Sequence, residues 1–322
     1  MKIGLFLVQF FHLDFDQVLD LVMKNGLEAV EIGTGNYCFQ PRHCNLQEVL
    51  SSPEKINEMK MKIHDRGLII SALSCHGNSL HPQKAIASQH QRTFRDTIIL
   101  AEKLGVNRVI NFSGCPGDSE TSQYPNWVTC PWPDDYTKVV QWQWEEKILP
   151  YWEKEVIFAR DHGVKICIEM HPGFAIYNPD TLLRLRQMVG DTIGANFDPS
   201  HLFWQGIDPV IAIRYLGKAI YHVHAKDVGL DSINAPRNGV LDTTPYHQFD
   251  KRSWIFRTVG YGHDEKCWKD ILSALRVVGY DDVLSIEHED IMASLEEGFQ
   301  KAALFLKTIS LKEKYGKTWW DS

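Results

Sequence analysis

Four stretches of the sequence run from apolar residues straight into ionisable ones. Lys165-Ile166-Cys167-Ile168 ends in Glu169-Met170-His171, and Ile193-Gly194-Ala195-Asn196-Phe197 ends in Asp198-Pro199-Ser200-His201. Ile220-Tyr221-His222-Val223 ends in His224-Ala225-Lys226-Asp227, and Val283-Leu284-Ser285-Ile286 ends in Glu287-His288-Glu289-Asp290. Each apolar run reads as a buried strand, so Glu169, Asp198, His224 and Glu287 stand at successive carboxyl ends. A carboxylate at that depth without a partner costs several kcal/mol in lost hydration. One divalent cation would offset that cost for the whole group. Three carboxylates and an imidazole form a hard, oxygen-rich donor set that suits Mn²⁺ first, with Mg²⁺, Co²⁺ and Zn²⁺ also compatible. Two open positions on an octahedral ion would chelate adjacent oxygens of a polyol. Salt bridges along a rim explain any one of the four residues adequately, and all four together poorly.

Such residues need a scaffold that gathers strand ends. Eight short apolar runs recur at 2–8, 29–33, 68–74, 108–112, 165–169, 193–198, 219–224 and 283–287. They alternate with amphipathic patterns near 15–24, 53–66, 85–104, 136–162, 180–189, 208–216, 268–278 and 294–309. Leu104-Gly105 and His162-Gly163 are among the places where glycine closes a helical pattern and feeds a strand. Near-continuous apolar strands with helices between them indicate a parallel sheet buried on both faces. Eight such units close most economically into a (β/α)₈ TIM barrel, one domain over 1–310 with a tail at 311–322. A doubly wound sheet would usually carry a glycine-rich phosphate loop after its first strand, and none follows Val8. Two long connections, 113–135 and 226–266, follow strands four and seven and should lie at the mouth as lids or binding loops.

Composition narrows the class. The 322 residues carry 34 Lys+Arg against 41 Asp+Glu, a net charge of -7. That balance argues against a surface built for nucleic acid or anionic lipid. No apolar run approaches the ~18 residues of a membrane span, and the start lacks the features of a signal peptide. The seven cysteines, Cys38, Cys44, Cys75, Cys115, Cys130, Cys167 and Cys267, are scattered without a Cys-x-x-Cys pair. Free thiols in a reducing cytoplasm are the expectation.

The strand-end motifs resemble those of the xylose isomerase-like TIM barrel superfamily of sugar phosphate isomerases and epimerases. The resemblance runs from Lys2 to about Lys307 and rests on Ile168-Glu169, Asn196-Phe197-Asp198-Pro199-Ser200-His201, His222-Val223-His224-Ala225-Lys226-Asp227 and Ser285-Ile286-Glu287-His288-Glu289. It implies one metal held by Glu169, Asp198, His224 and Glu287, with His201 touching substrate oxygens. The endonuclease branch of the superfamily needs further histidines, and the fourth strand ends Ile110-Asn111-Phe112-Ser113 without one. A narrower resemblance lies in 112–117, 125–133, Glu169-Met170-His171-Pro172-Gly173 and Gly260-Tyr261-Gly262-His263-Asp264. It points to a subgroup acting on oxidised sugars that includes the large (alpha) subunit of C-glycoside deglycosidases, which work with a small β-rich partner. A homo-oligomer is also compatible.

The reaction expected is proton abstraction beside a carbonyl of a keto sugar or glycoside. Loss of the C2 proton from a 3-oxo-(C-)glycoside would expel the C1 substituent by β-elimination. Reprotonation of an enediolate would instead give isomerisation or epimerisation. His171, with an ordinary pKa of about 6.5, suits the base, and Glu169 and Glu287 are its rivals. His201, His76 and Asn78 are candidates for sugar hydroxyls, and Arg257 and His263 are weaker ones. Arg257 reads equally as a brace to an acidic neighbour, the preferred account. Lys226 and Asp227 read as ion-paired groups that orient the rim. Trp127, Trp132, Trp204 and Trp254 are candidates for stacking on a ring, whereas Trp142, Trp144 and Trp152 fit packing or a subunit surface.

Overall fold

The β-branched and apolar runs form strands β1 (Lys2–Phe6), β2 (Ala29–Gly33), β3 (Ile69–Ser74), β4 (Arg108–Phe112), β5 (Lys165–Glu169), β6 (Ile193–Phe197) and β7 (Ile220–Ala225). Two further strands, β8 (Asp227–Leu230) and β9 (Trp254–Arg257), precede β10 (Val283–Ile286). The computed structural model describes residues 1–37, 42–314 and 316–320. Cys38, expected as a free thiol, lies outside the described residues, as do parts of the tail at 311–322. The other six cysteines are free.

Strands β1 to β7 and β10 close a parallel barrel in the order β1-β10-β7-β6-β5-β4-β3-β2. This is the (β/α)₈ architecture. Closure follows from the burial pattern, since β2, β6 and β10 are buried at every position and have no face for solvent. The helices cover the outside, and their apolar faces meet the sheet in one large core that includes Trp152, Trp268, Phe94 and Phe299. Gly105 ends the helix Lys84–Leu104 in the left-handed conformation at φ 76°, which a side chain would resist.

Alternation along each strand decides what fills the barrel. Midway along the barrel an apolar layer of Ala72, Ile110 and Cys167 packs against Tyr221. Two residues further on, the same face carries Ser74, Phe112 and Glu169. Register then aligns the polar tier: Glu169 lies beside Asn196, Asn196 beside His222, and His224 beside Ser285.

The two long connections are built differently from each other. Segment 113–135 is irregular but tied down, because the Gln143 side chain donates to the carbonyls of Gly117 and Asn126 at 2.9 and 2.8 Å. Segment 226–266 contains an antiparallel hairpin in which β8 pairs with β9, Asp227 opposite Arg257 and Leu230 opposite Trp254. The helical pattern at 136–162 is a helix interrupted by a π-turn at Gln143–Ile148. Trp144 and Trp152 are buried there, and the Trp152 indole donates to the Ser113 carbonyl at 3.0 Å. No helix among the described residues is long and apolar enough to cross a membrane.

Candidate metal centre

Glu169 closes β5, Asp198 follows β6, His224 lies in β7 and Glu287 follows β10. Each offers one ligand atom, and these atoms lie within 4.8 Å of one another. His224 Nδ1 is 3.0 Å from Glu287 Oε2 and 3.3 Å from Glu169 Oε2. On its other side, His224 Nε2 sits 3.1 and 3.0 Å from the two oxygens of Glu31. A carboxylate only accepts, so Nε2 carries the proton and Nδ1 faces the group. Asp198 Oδ1 accepts from the Ser200 backbone at 2.8 Å, while its Oδ2 makes no aligned hydrogen bond and has His201 Nε2 at 3.3 Å. Asp198 Oδ2, His224 Nδ1 and Glu287 Oε2 are all buried and all lack an aligned hydrogen bond. Carboxylate oxygens buried this close together are costly without positive charge among them, and a cation is the species that would satisfy the group together. The donor set therefore fits a divalent ion.

Electrostatics agree. Burial opposes charge on His224, yet Glu31, Glu169 and Glu287 hold its imidazole well above the usual range. The field that draws a proton to Nδ1 would draw a metal ion to the same place. Burial would raise Glu169, but hydrogen bonds from His201, His224 and His76 keep it well below the carboxylate norm. Glu287 is likewise lowered by Lys226 and His224 against its burial. Asp198 differs: burial pushes it up to about 6, with His201 and Lys226 only partly offsetting.

Above these residues opens a cavity of about 610 Å³. Its inner end carries Glu169, His171, His76, Lys226 and Glu287, and its outer wall carries Val8, Tyr246, Ile255, Phe256 and Ile291. His171 donates through Nδ1 to the Pro172 carbonyl at 2.6 Å, which leaves Nε2 as an acceptor. Burial and the neighbouring His201 push its pKa down to about 3, so the near-neutral value expected of it as a base is not what this site gives and the ring is neutral at pH 7. His76 joins Glu169 at 3.2 Å and the Tyr37 hydroxyl at 3.1 Å. Lys226 is buried, pairs with Glu287 at 3.1 Å and Glu289 at 2.7 Å, and lies over the Phe256 ring at 4.2 Å.

Other predicted residues fall elsewhere. His201 is packed between two carboxylates, 3.4 Å from Glu169 and 3.3 Å from Asp198, and does not line the cavity. Asn78 is a loop tie: its amide donates to the Cys115 carbonyl and its oxygen accepts from the Leu80 and Cys115 backbones. Arg257 braces Asp290 at 3.2 Å, and His263 stacks on Phe203 while donating to Asp227 at 2.8 Å. None of these three lines the cavity. Lys226 and Asp227 part company, because Asp227 binds the backbone of Gly260, Gly262 and His263 instead of pairing at the rim. The tryptophans do not wall the cavity either. Trp204 and Trp254 stack on each other at 4.6 Å, Trp127 packs on Tyr177, and Trp132 is exposed. Phenylalanines and tyrosines take their place. Glu31 was not foreseen, although a lone acid inside Ala29-Val30-Glu31-Ile32-Gly33 is itself a signal.

Comparison with known proteins adds four findings. A family model described as xylose isomerase-like TIM barrel matches residues 19–309. The uncharacterized protein YfiH of Bacillus subtilis (strain 168) is 40% identical over 303 residues, 93% of this chain and 96% of that protein. An inosose dehydratase of Clostridium beijerinckii is 31% identical over 74 residues, 23% of this chain and 25% of its own length. The fold is shared with the crystal structure of IOLI protein with a binding zinc atom, at a TM-score of 0.65 and 18% identity over 96% of this chain and 98% of that one.

Proposed function

We propose that this chain, which belongs to the xylose isomerase-like TIM barrel family, is a divalent-metal-dependent enzyme that removes a proton beside the carbonyl of a keto sugar or glycoside. The observation that carries the reading is the convergence of Asp198 Oδ2, His224 Nδ1 and Glu287 Oε2, all buried and none in an aligned hydrogen bond, at the inner end of the cavity. Glu169, Asp198, His224 and Glu287 would hold the ion. When bound, such an ion supplies Lewis-acid polarisation of a carbonyl and its neighbouring hydroxyl. Mn²⁺ is our first choice on donor hardness. The zinc in a structure of the same fold supports a divalent site in general.

The reaction proposed is β-elimination from a 3-oxo-(C-)glycoside. His171 Nε2 takes the C2 proton, and the C–H electron pair moves toward the C3 oxygen. The ketone then re-forms as the C1–C2 double bond appears, and the aglycone leaves with the C1 bond pair and is protonated. Lys226 holds Glu287 and adds positive charge near the developing oxyanion. His171 is preferred as base because its Nε2 faces the cavity without a donor, whereas Glu169 already accepts from His76 and Asn196. The relative named inosose dehydratase supports an elimination, since a dehydratase expels water. Isomerisation or epimerisation is the second reading, favoured by the placement of Glu169 and Glu287 as two carboxylates on one cavity. Turnover of a 3-oxo-glucoside with Mn²⁺ in D₂O separates them. Aglycone release marks elimination, and deuterium uptake without release marks epimerisation.

A further inference from the structure

Below the four proposed ligands lies a wholly buried acid that the reaction does not touch. Glu31 in β2 has no exposed surface. Its carboxylate accepts from His224 Nε2 through both oxygens, at 3.1 and 3.0 Å. Ser285 Oγ donates to Oε2 at 2.6 Å, and Ser74 Oγ donates to Oε1. Among the described residues its ion-pair partners are imidazoles alone, His224 and, at 3.9 Å, His222. No ammonium or guanidinium balances it. A buried carboxylate whose charge is met only by an imidazole shared with Glu169 and Glu287 is a poor choice for stabilising a barrel, because an apolar side chain would cost less.

The backbone is arranged around it. Strand β2 shifts register against β3 between Val30 and Glu31. The other register shift among the described residues of the barrel falls between Ala195 and Asn196. Asn196 is the residue whose amide donates to Glu169 Oε2 at 2.9 Å. Both irregularities thus sit at side chains that hold a proposed ligand, as expected where the ladder is bent to aim a group.

We infer that Glu31 is a positioning residue of the metal centre. It fixes the His224 ring with Nδ1 turned to the ion, and its own charge is balanced by that ion through the imidazole. The inference rests on the metal reading above. A carboxylate behind a ligating histidine raises the basicity of the ligand, and removing one weakens metal binding about 10–100-fold.

The test is titration of metal-free wild type, E31Q and E31A with Mn²⁺, followed by calorimetry and by electron paramagnetic resonance of the free ion. E31Q keeps an acceptor for Nε2 and removes the charge, and E31A removes both. The expected result is a dissociation constant raised about 10-fold in E31Q and toward 100-fold in E31A. The melting temperature of metal-free E31Q should be no lower than that of wild type, while its rise on adding Mn²⁺ should shrink. Wild-type affinity in E31Q and E31A overturns the inference and leaves the metal reading standing. So does weakened binding that accompanies an equal loss of stability in metal-free E31Q, because that is the mark of a structural role. Should wild type itself bind neither Mn²⁺ nor Zn²⁺, the metal reading falls and takes this inference with it. E31A is judged only where it folds, and E31Q carries the decision otherwise.

Discussion

The two ends of the cavity are built by different rules. At the inner end each ionisable side chain rises from the end of a barrel strand and is held by a second polar group. Asn196 holds Glu169, the Ser200 backbone holds Asp198, Glu31 holds His224 and Lys226 holds Glu287. At the outer end Tyr246, Ile255 and Phe256 come from the excursion between β7 and β10, and Ile291 follows β10. These are positioned by ring packing, with Phe256 5.4 Å from Trp254 and 6.0 Å from Tyr246. Directional bonds fix geometry to tenths of an ångström, whereas apolar contacts fix volume and tolerate exchange. On the proposed function, chemistry would belong to the strands and substrate choice to the loops.

That division is open to attack from either end. The largest effect should come from E287Q, which keeps the shape and removes a ligand charge. Metal retention and turnover should both fall by more than about 1,000-fold, a loss of roughly 4 kcal/mol, and retained turnover would reject the enzyme as drawn. Next comes H171N, for which proton exchange in D₂O should drop about 100-fold or more while Mn²⁺ stays bound. If exchange survives, a glutamate is the base. A third measurement uses pH. Burial raises the Asp198 pKa to about 6, so this carboxyl is ionised above that value and protonated below it. Protonation removes a ligand, so Mn²⁺ affinity should weaken as pH falls through about 6 and recover on return to 7.5. A flat profile would take Asp198 out of the ligand set. The smallest effect is expected at the outer wall. F256A should raise KM for a bulky glycoside about 10-fold, the scale of one buried ring, with kcat and metal affinity nearly unchanged. A collapse of kcat there would break the proposed separation of the two ends.

The same division explains what the sequence disclosed. Glu169, Asp198, His224 and Glu287 were legible because each terminates an apolar run, and alternation in a buried strand leaves such a residue few places to go. The barrel followed from the eight repeats of strand and helix. Glu31 escaped notice because it sits within its strand, where one acid among five residues reads as local variation until its partner is seen across the barrel. Asn78, Arg257 and His263 were chosen for residue type on connections whose paths are set by tertiary contacts, and each spends its polar atoms on neighbouring loops. The tryptophans failed as ring platforms for a related reason. Trp204 and Trp254 stack on each other instead, and Phe256, two residues on in β9, lines the cavity.

One clasp decides how freely the outer wall can change. The Asp227 carboxylate accepts from the backbone of Gly260, Gly262 and His263, from the His263 ring and from the Trp268 indole at 3.1 Å. At Gly262 a β-carbon would meet the Val228 carbonyl at 2.3 Å and Asp227 itself at 2.6 Å, so only glycine allows the approach. The departure and return of the excursion are thus fastened together beside Lys226, like the neck of a drawstring bag. What lies beyond that neck, apart from Phe256 over Lys226, is free to change in length while the strand ends beneath keep their places.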